Sequence, residues 1–503
     1  MRFLKCILIF IVTTSLLSVN GSPKIDLSDV GDVYIENSGS EDAQQHFLHG
    51  LAQLHNFEYW SAAEDFQKVQ QIDPDFALAY WGEALTYNHT IWMRQDKKAA
   101  LKALNKYASS PSKREKKAKS YLERDLLKAV DILYGEGTKQ QQDDLYLSFM
   151  EKLHNKYPKN VEIASFYALA IMGTAHEGRD FGLYMQSAAV SQNFIKDYPR
   201  HPGIAHYLIH ATDDPTHAPL GLAAANAYGD IAPNAGHPQH MTSHIFLALG
   251  DWKGVIKANI RAMDLTNAKR KAEGKGPTGC GHYASWLQYG YLQQGDQLAA
   301  HDMMLLCHQN AQEDKYKRLS SYAWQRALYL LDTEDWDGDV AQMSVSFGDD
   351  HRALFENQLM DGWIAVKTNN ASAARSQLNN ANQTFELIKQ DWESKKLAKD
   401  QPERKLPIVQ LKQLEALIVL LEGEQESAVK ILREAVEIEK ALPFGFGPPK
   451  PAKPSLELLG EVLISLKMYD EAKTVLESSL KRTPNKALTV KALAKIGKII
   501  KQQ

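Results

Sequence analysis

The sequence predicts an all-α solenoid of stacked helical hairpins. Three observations carry this: one set of intervals recurs near both ends, prolines close helical runs at repeat-like spacing, and no segment alternates as a strand would. In HFLHGLAQLHNFEYWSAAEDFQKVQQIDPDF, Gly50 is followed by Ala62, Phe66, Val69 and, 24 residues after the glycine, Pro74. In LLGEVLISLKMYDEAKTVLESSLKRTPN the same intervals return as Gly460, Ala472, Leu476, Ser479 and Pro484. Antiparallel helices that cross closely need small residues at the crossing and large apolar ones beside it, and proline stops the second helix.

Residues 1–21 read as a secretory signal peptide: Arg2 and Lys5 lead an apolar stretch over 6–19, and Val19 and Gly21 suit cleavage. Export to a periplasm or the extracellular space is therefore expected. Residues 22–42 are polar and read as a loose leader, and a continuous solenoid runs over 43–503. Within it Pro158, Pro199 and Pro233 close helical runs, the last two 34 residues apart, and Gly-Asp or Gly-Glu turns divide LALGDWKGV, YLQQGDQLA and LLEGEQESA. GKGPTGCG is a flexible connection rather than a phosphate loop, since no strand precedes it. Residues 443–454, PFGFGPPKPAKP, form the one long rigid loop, and the lysine-rich tail suits a solvated end cap. Lys plus Arg number 58 against 61 Asp plus Glu, for a net charge of -3, which argues against nucleic acid as a partner. No run after residue 20 is long and apolar enough to span a bilayer.

The Gly50–Pro74 and Gly460–Pro484 patterns resemble the tetratricopeptide repeat (TPR), a 34-residue helix-turn-helix unit. The phrases YWGEALTYNHTIW, HPGIAHYLIHATDDPTHAP, GHPQHMTSHIFLALGDW and GPPKPAKPSLELLGE are also similar to a group of largely uncharacterised exported bacterial TPR proteins. The resemblance implies a right-handed superhelix whose first helices line a concave groove, and a peptide, protein or small-molecule ligand as the groove's partner.

Repeat phase sorts the histidines. His206 and His210 are four apart after Pro199, and His240 and His244 are four apart after Pro233, so the pairs are offset by 34 residues. Four-residue spacing puts both rings of a pair on one helix face, and equal phase sets the pairs side by side on neighbouring helices. His55 and His89 are also 34 apart, and His282 opens a later first helix. With the groove geometry that the resemblance implies, these seven face inward, joined by Asn88, Trp92, Asp213 and Asp214. Neutral imidazoles in such pairs suit a divalent transition metal, zinc or copper. Structural packing and partner recognition are the competing readings of the quartet. His176, His201, His217 and His237 lie near helix starts or loops and are candidates for outer or substitute ligands, with surface or capping roles as the plainer reading.

Two functions follow: an exported repeat protein that binds a partner in a histidine-rich groove, or a metal-binding protein or metalloenzyme with His206, His210, His240 and His244 as ligands. Enzymatic activity stays open. There is no H-E-x-x-H and no G-x-S-x-G motif, and only Asp213, Asp214 and Glu177 offer a base near the quartet. After signal removal Cys280 and Cys307 are the only cysteines, and an antiparallel return at Gly295 would bring them together as a disulfide, the alternative being two free buried thiols.

Overall fold

A computed structural model describes residues 26–313, 318–394 and 404–501; the expected signal peptide lies outside them. The fold is all-α and TPR-like. Hairpins form from α1 (Glu41–His55) and α2 (Tyr59–Ile72), α8 (Val161–Gly173) and α9 (Phe181–Ile195), α10 (Pro202–Thr212) and α11 (Ala218–Ile231), and α12 (Gly236–Leu249) and α13 (Trp252–Ala272). They continue with α14 (His282–Gln294) and α15 (Gln297–Gln312), α18 (His351–Lys367) and α19 (Ala371–Ser394), α20 (Leu406–Leu421) and α21 (Gln425–Lys440), and α22 (Ser455–Ser465) and α23 (Tyr469–Arg482). Between the first two of these hairpins lie α3 (Ala77–Leu85), α4 (Lys97–Tyr107), α5 (Pro111–Lys117), α6 (Tyr121–Leu133) and α7 (Lys139–Lys156). α16 (Leu319–Thr333) and the short α17 (Asp339–Gln342) precede α18, and α24 (Ala487–Ile500) ends the array.

The sequence signals act as expected at crossings and turns. A Cβ on Gly460 would lie 2.5 Å from Leu476, so glycine there sets how closely α22 meets α23. In two of the Gly-Asp turns the glycine takes a left-handed conformation at the helix end, with φ of 69° at Gly250 and 78° at Gly295. The aspartate then caps the next helix: Asp251 accepts from the Gly254 amide at 3.1 Å and Asp296 from the Ala299 amide at 3.1 Å. One departure is a two-stranded ribbon, β1 (Asn88–His89) paired with β2 (Arg94–Gln95), which ends α3 early.

From Asp32 to Ser40 the leader, expected to be loose, is instead pinned across several helices. The Ser40 amide donates to Asp73 (2.8 Å), the Ser38 amide to Glu123 (2.9 Å) and the Tyr34 amide to Glu162 (2.7 Å), and the Asp32 amide donates to the Arg200 carbonyl (3.0 Å). The Ser38 and Tyr34 amides find buried carboxylates, which hold them better than water would.

The helical array also closes on itself twice. α1 packs against α10, and the turn between α23 and α24 returns to the α12–α13 turn, where the Trp252 indole donates to the Asn485 carbonyl at 3.0 Å. Beside that second contact Lys486, 1% exposed, pairs with Asp332 and stands 3.7 Å from Glu457. Glu457 is also paired with buried Lys453 at 2.8 Å, and the two ammonium groups hold its pKa down to about 2 against the penalty of burial.

The 443–454 loop covers the face formed by the first helices of the later hairpins. Phe446 lies 5.2 Å from the His244 ring on α12, and Lys450 is 5.7 Å from the Trp324 ring on α16. The Gln413 amide on α20 donates to the Lys453 carbonyl at 2.8 Å. Gly447 packs so close to Trp286 on α14 that a Cβ would come within 2.5 Å of the indole. The inner face, expected to be an open groove, is thus occupied here by the chain's own proline-rich segment.

Candidate metal centre

The central histidines converge because α10 and α12 run side by side in equal phase. His206, His210, His240 and His244 are all buried, at most 3% exposed. They do not form one four-ligand set. A ring atom from each of His206, His210 and His237 lies within 4.8 Å of the others, and the same holds for His240, His244 and His282. Each helical pair therefore takes its third member from the start of a helix, His237 on α12 and His282 on α14. The two trios touch through His210 and His244, whose ring centres are 5.6 Å apart.

Hydrogen bonding decides which nitrogens are free. His206 Nδ1 donates to the His55 carbonyl at 2.7 Å, leaving Nε2 bare 3.2 Å from His237 Nε2. His240 Nδ1 is 2.7 Å from the Asn259 side-chain oxygen, and the Asn259 amide donates to the Val255 carbonyl, so the oxygen must be the acceptor. His244 Nδ1 donates to Asp213 Oδ2 at 2.7 Å. The Nε2 atoms of His240 and His244 then face each other 3.2 Å apart. His210 Nε2 is buried without a hydrogen-bond partner. Burial, reinforced by the neighbouring imidazoles, holds the pKa values of His206, His210, His237 and His240 well below 6.5. His282, at the outer edge of its trio, is lowered in the same direction by desolvation and then by His244 and Lys450.

Around the rings the protein is aromatic and, on one side, ionic. Trp286 stacks on His244 at 4.5 Å, and Phe57 meets His206 at 4.3 Å from the α1–α2 turn. Phe57 has a φ of 57°, a left-handed conformation that bulky side chains avoid, and here it holds the ring over His206, His210 and His237. Arg179 pairs with Asp213 and, at 3.3 Å, with Asp214, and Asp214 also accepts from His217 Nδ1 at 2.8 Å. Asp213 and Asp214, expected as groove carboxylates or bases, are therefore buried orienting groups, because Arg179 and the imidazoles engage their oxygens.

Other expected groove residues lie elsewhere. His55 sits in a separate buried knot: its Nε2 donates to Glu162 at 2.7 Å and its Nδ1 accepts from the Tyr207 hydroxyl at 2.9 Å. His201 Nε2 donates to the same carboxylate at 3.0 Å and its Nδ1 accepts from the Ile204 amide. Every ring nitrogen in that trio has a partner, so the knot ties α1, α8 and α10 together and leaves no imidazole lone pair for an ion. His89 is off the helix, on β1, stacked on Tyr59 at 4.2 Å. Asn88 donates to Thr90 at 3.0 Å, and Trp92, 42% exposed, reaches the rim with its ring 6.2 Å from His237. Cys280 and Cys307 are joined as a disulfide with Cα atoms 4.6 Å apart, two residues from His282. Sequence reasoning passed over Phe57, Arg179, Trp286 and Phe446. Of these only Arg179, a buried cation in the α8–α9 loop whose partners are adjacent aspartates, left a signal that charge pairing could have found.

The architecture is that of a helical-repeat protein. A TPR model matches residues 454–486, the α22–α23 hairpin. The chain therefore carries a tetratricopeptide repeat, and repeats of this type typically mediate protein–protein interaction. Among solved structures it is similar to the APC/C hetero-tetramer Cut9-Hcn1, at 14% identity over 92% of this chain and 78% of that one, TM-score 0.34. It is also similar to yeast Tom70, at 12% identity over 92% of this chain and 90% of that one, TM-score 0.29. No curated protein matches it in sequence.

Proposed function

We propose that this chain is a metal-binding helical-repeat protein that holds a divalent transition metal, zinc or copper, in two three-histidine sites: His206, His210 and His237, and His240, His244 and His282. The observation that carries this reading is the 3.2 Å approach of His240 Nε2 to His244 Nε2. Asn259 and Asp213 take the Nδ1 protons of the two rings, and burial keeps His240 from gaining a second one. With one proton on each ring, two lone pairs face each other, and a metal ion between them satisfies both. Ligands about 2.05 Å from a tetrahedral ion stand about 3.3 Å apart, close to the separation here. Carboxylate and amide acceptors behind the rings are the usual outer support of metal-bound histidine. Three imidazoles leave a four-coordinate ion one position for water or a ligand.

A partner peptide, protein or small ligand lying on the inner face would have to displace the 443–454 loop, so we place partner binding second to metal binding. We also read the chain as exported, on the basic and apolar segment at residues 1–21 and the Cys280–Cys307 disulfide. Elemental analysis of untagged protein after incubation with zinc or copper tests the metal reading. Two ions per chain are expected, and the double variant His206→Ala, His240→Ala should lose both. A metal-free wild type, or full metal content in the double variant, contradicts it.

A further inference from the structure

Beside the histidine cluster, a cavity of about 770 Å³ lies at the second closure of the array, next to Trp252 and Pro484. The 90–94 turn, the α8–α9 loop, the α12–α13 turn, the 443–454 loop and the end of α23 enclose it. This volume suits a small molecule. Its lining includes Trp92, Trp252, Tyr289 and Phe446, which give it broad apolar walls.

Two buried donors on this lining have no partner. Arg179 commits its terminal nitrogens to Asp213, Asp214 and the Ala211 carbonyl, yet its Nε is unpaired although the side chain is only 3% exposed. Ser479, 1% exposed, also leaves its hydroxyl unbonded. The neighbouring hydroxyls of Ser478 and Thr483 return to the carbonyl four residues earlier, at 2.9 and 3.1 Å, and Ser479 does not. A buried unsatisfied donor costs about 1–3 kcal/mol, and an acceptor from outside the chain, a water or a ligand oxygen, would remove that cost at each. Four cationic side chains line the space, Arg94, Arg179, Lys450 and Arg482, against three carboxylates, one of which is Asp213, already engaged by Arg179 and His244.

We propose that this cavity binds a small carboxylate-bearing molecule with an apolar body. Arg179 Nε and Ser479 Oγ donate to its oxygens, Arg482 adds charge, and the aromatic walls cover the body. Its test is separable from the metal reading, because neither Ser479 nor Arg482 belongs to the trios or to the residues that support them.

Decanoate serves as the probe and decylammonium as its cationic counterpart, with tryptophan fluorescence, to which Trp92 and Trp252 contribute, and calorimetry as readouts. Decanoate should bind saturably at one per chain and decylammonium should not. Ser479→Ala and Arg482→Gln should each weaken decanoate by about fivefold, the worth of one hydrogen bond, with helical content and metal content unchanged. Absence of saturable decanoate binding, equal affinity for decylammonium, or unchanged affinity in folded forms of both variants overturns the proposal.

Discussion

At His244 the Asp213 carboxylate fixes the Nδ1 proton and turns Nε2 inward, and Arg179 in turn fixes Asp213. Asp213→Asn should therefore weaken zinc binding by about 10–100-fold, as loss of outer support does elsewhere, measured by competition with a chromophoric chelator. Burial has a second consequence. Because the pKa values of His206, His210 and His240 are lowered on folding, the folded state binds fewer protons than the unfolded chain below pH 6.5. Stability is then complete above pH 6.5 and falls as the pH drops. Each group contributes about 1.4 kcal/mol between pH 7.5 and 5.5. Urea unfolding of the metal-free protein at pH 7.5 and 5.5 should show a loss approaching about 4 kcal/mol, and a flat profile would contradict the assignment. The quartet was legible because spacings of four and thirty-four residues are properties of the chain itself. The direction of each Nδ1 proton was not, since Asn259 and the His55 carbonyl come from other helices.

On the scale of the helix and the turn, starts and stops decided what periodicity missed. His237 and His282 complete the trios from helix starts, where no repeat phase applies. The His55 and His89 offset matched the period but misled, because α3 ends at Leu85 and His89 falls on a strand. The Cys280–Cys307 bridge joins the segment before α14 to α15 and spans 27 residues, a loop for which closure entropy is worth about 3 kcal/mol. The double variant Cys280→Ser, Cys307→Ser should lose about that much stability in denaturant titration. Since the bridge adjoins His282, the variant should also hold metal less tightly at the His240–His244–His282 site than at the other.

Over the whole molecule the hairpin order was readable from glycine, alanine and proline spacing, which report contacts between neighbours. The two closures were not, because they join residues such as Trp252 and Asn485 that no local pattern connects. Nor was the inward path of the 443–454 loop, whose partners lie on α12, α14, α16 and α20. The second closure rests on buried charge: Lys486→Met would leave Asp332 and Glu457 without one of their cations, a change that costs about 3–5 kcal/mol, and adding Asp332→Asn should recover part of it in thermal unfolding. The account as a whole turns on whether the facing imidazoles hold ions. Anomalous difference maps from crystals of untagged, metal-incubated protein, recorded at the zinc and copper edges, address this most directly. Two peaks are expected, one about 2.0–2.1 Å from the Nε2 atoms of His206 and His237 and one at that distance from those of His240 and His244. Empty density at both trios, or a peak only at the surface group of His46, His49 and Asp65, would contradict it.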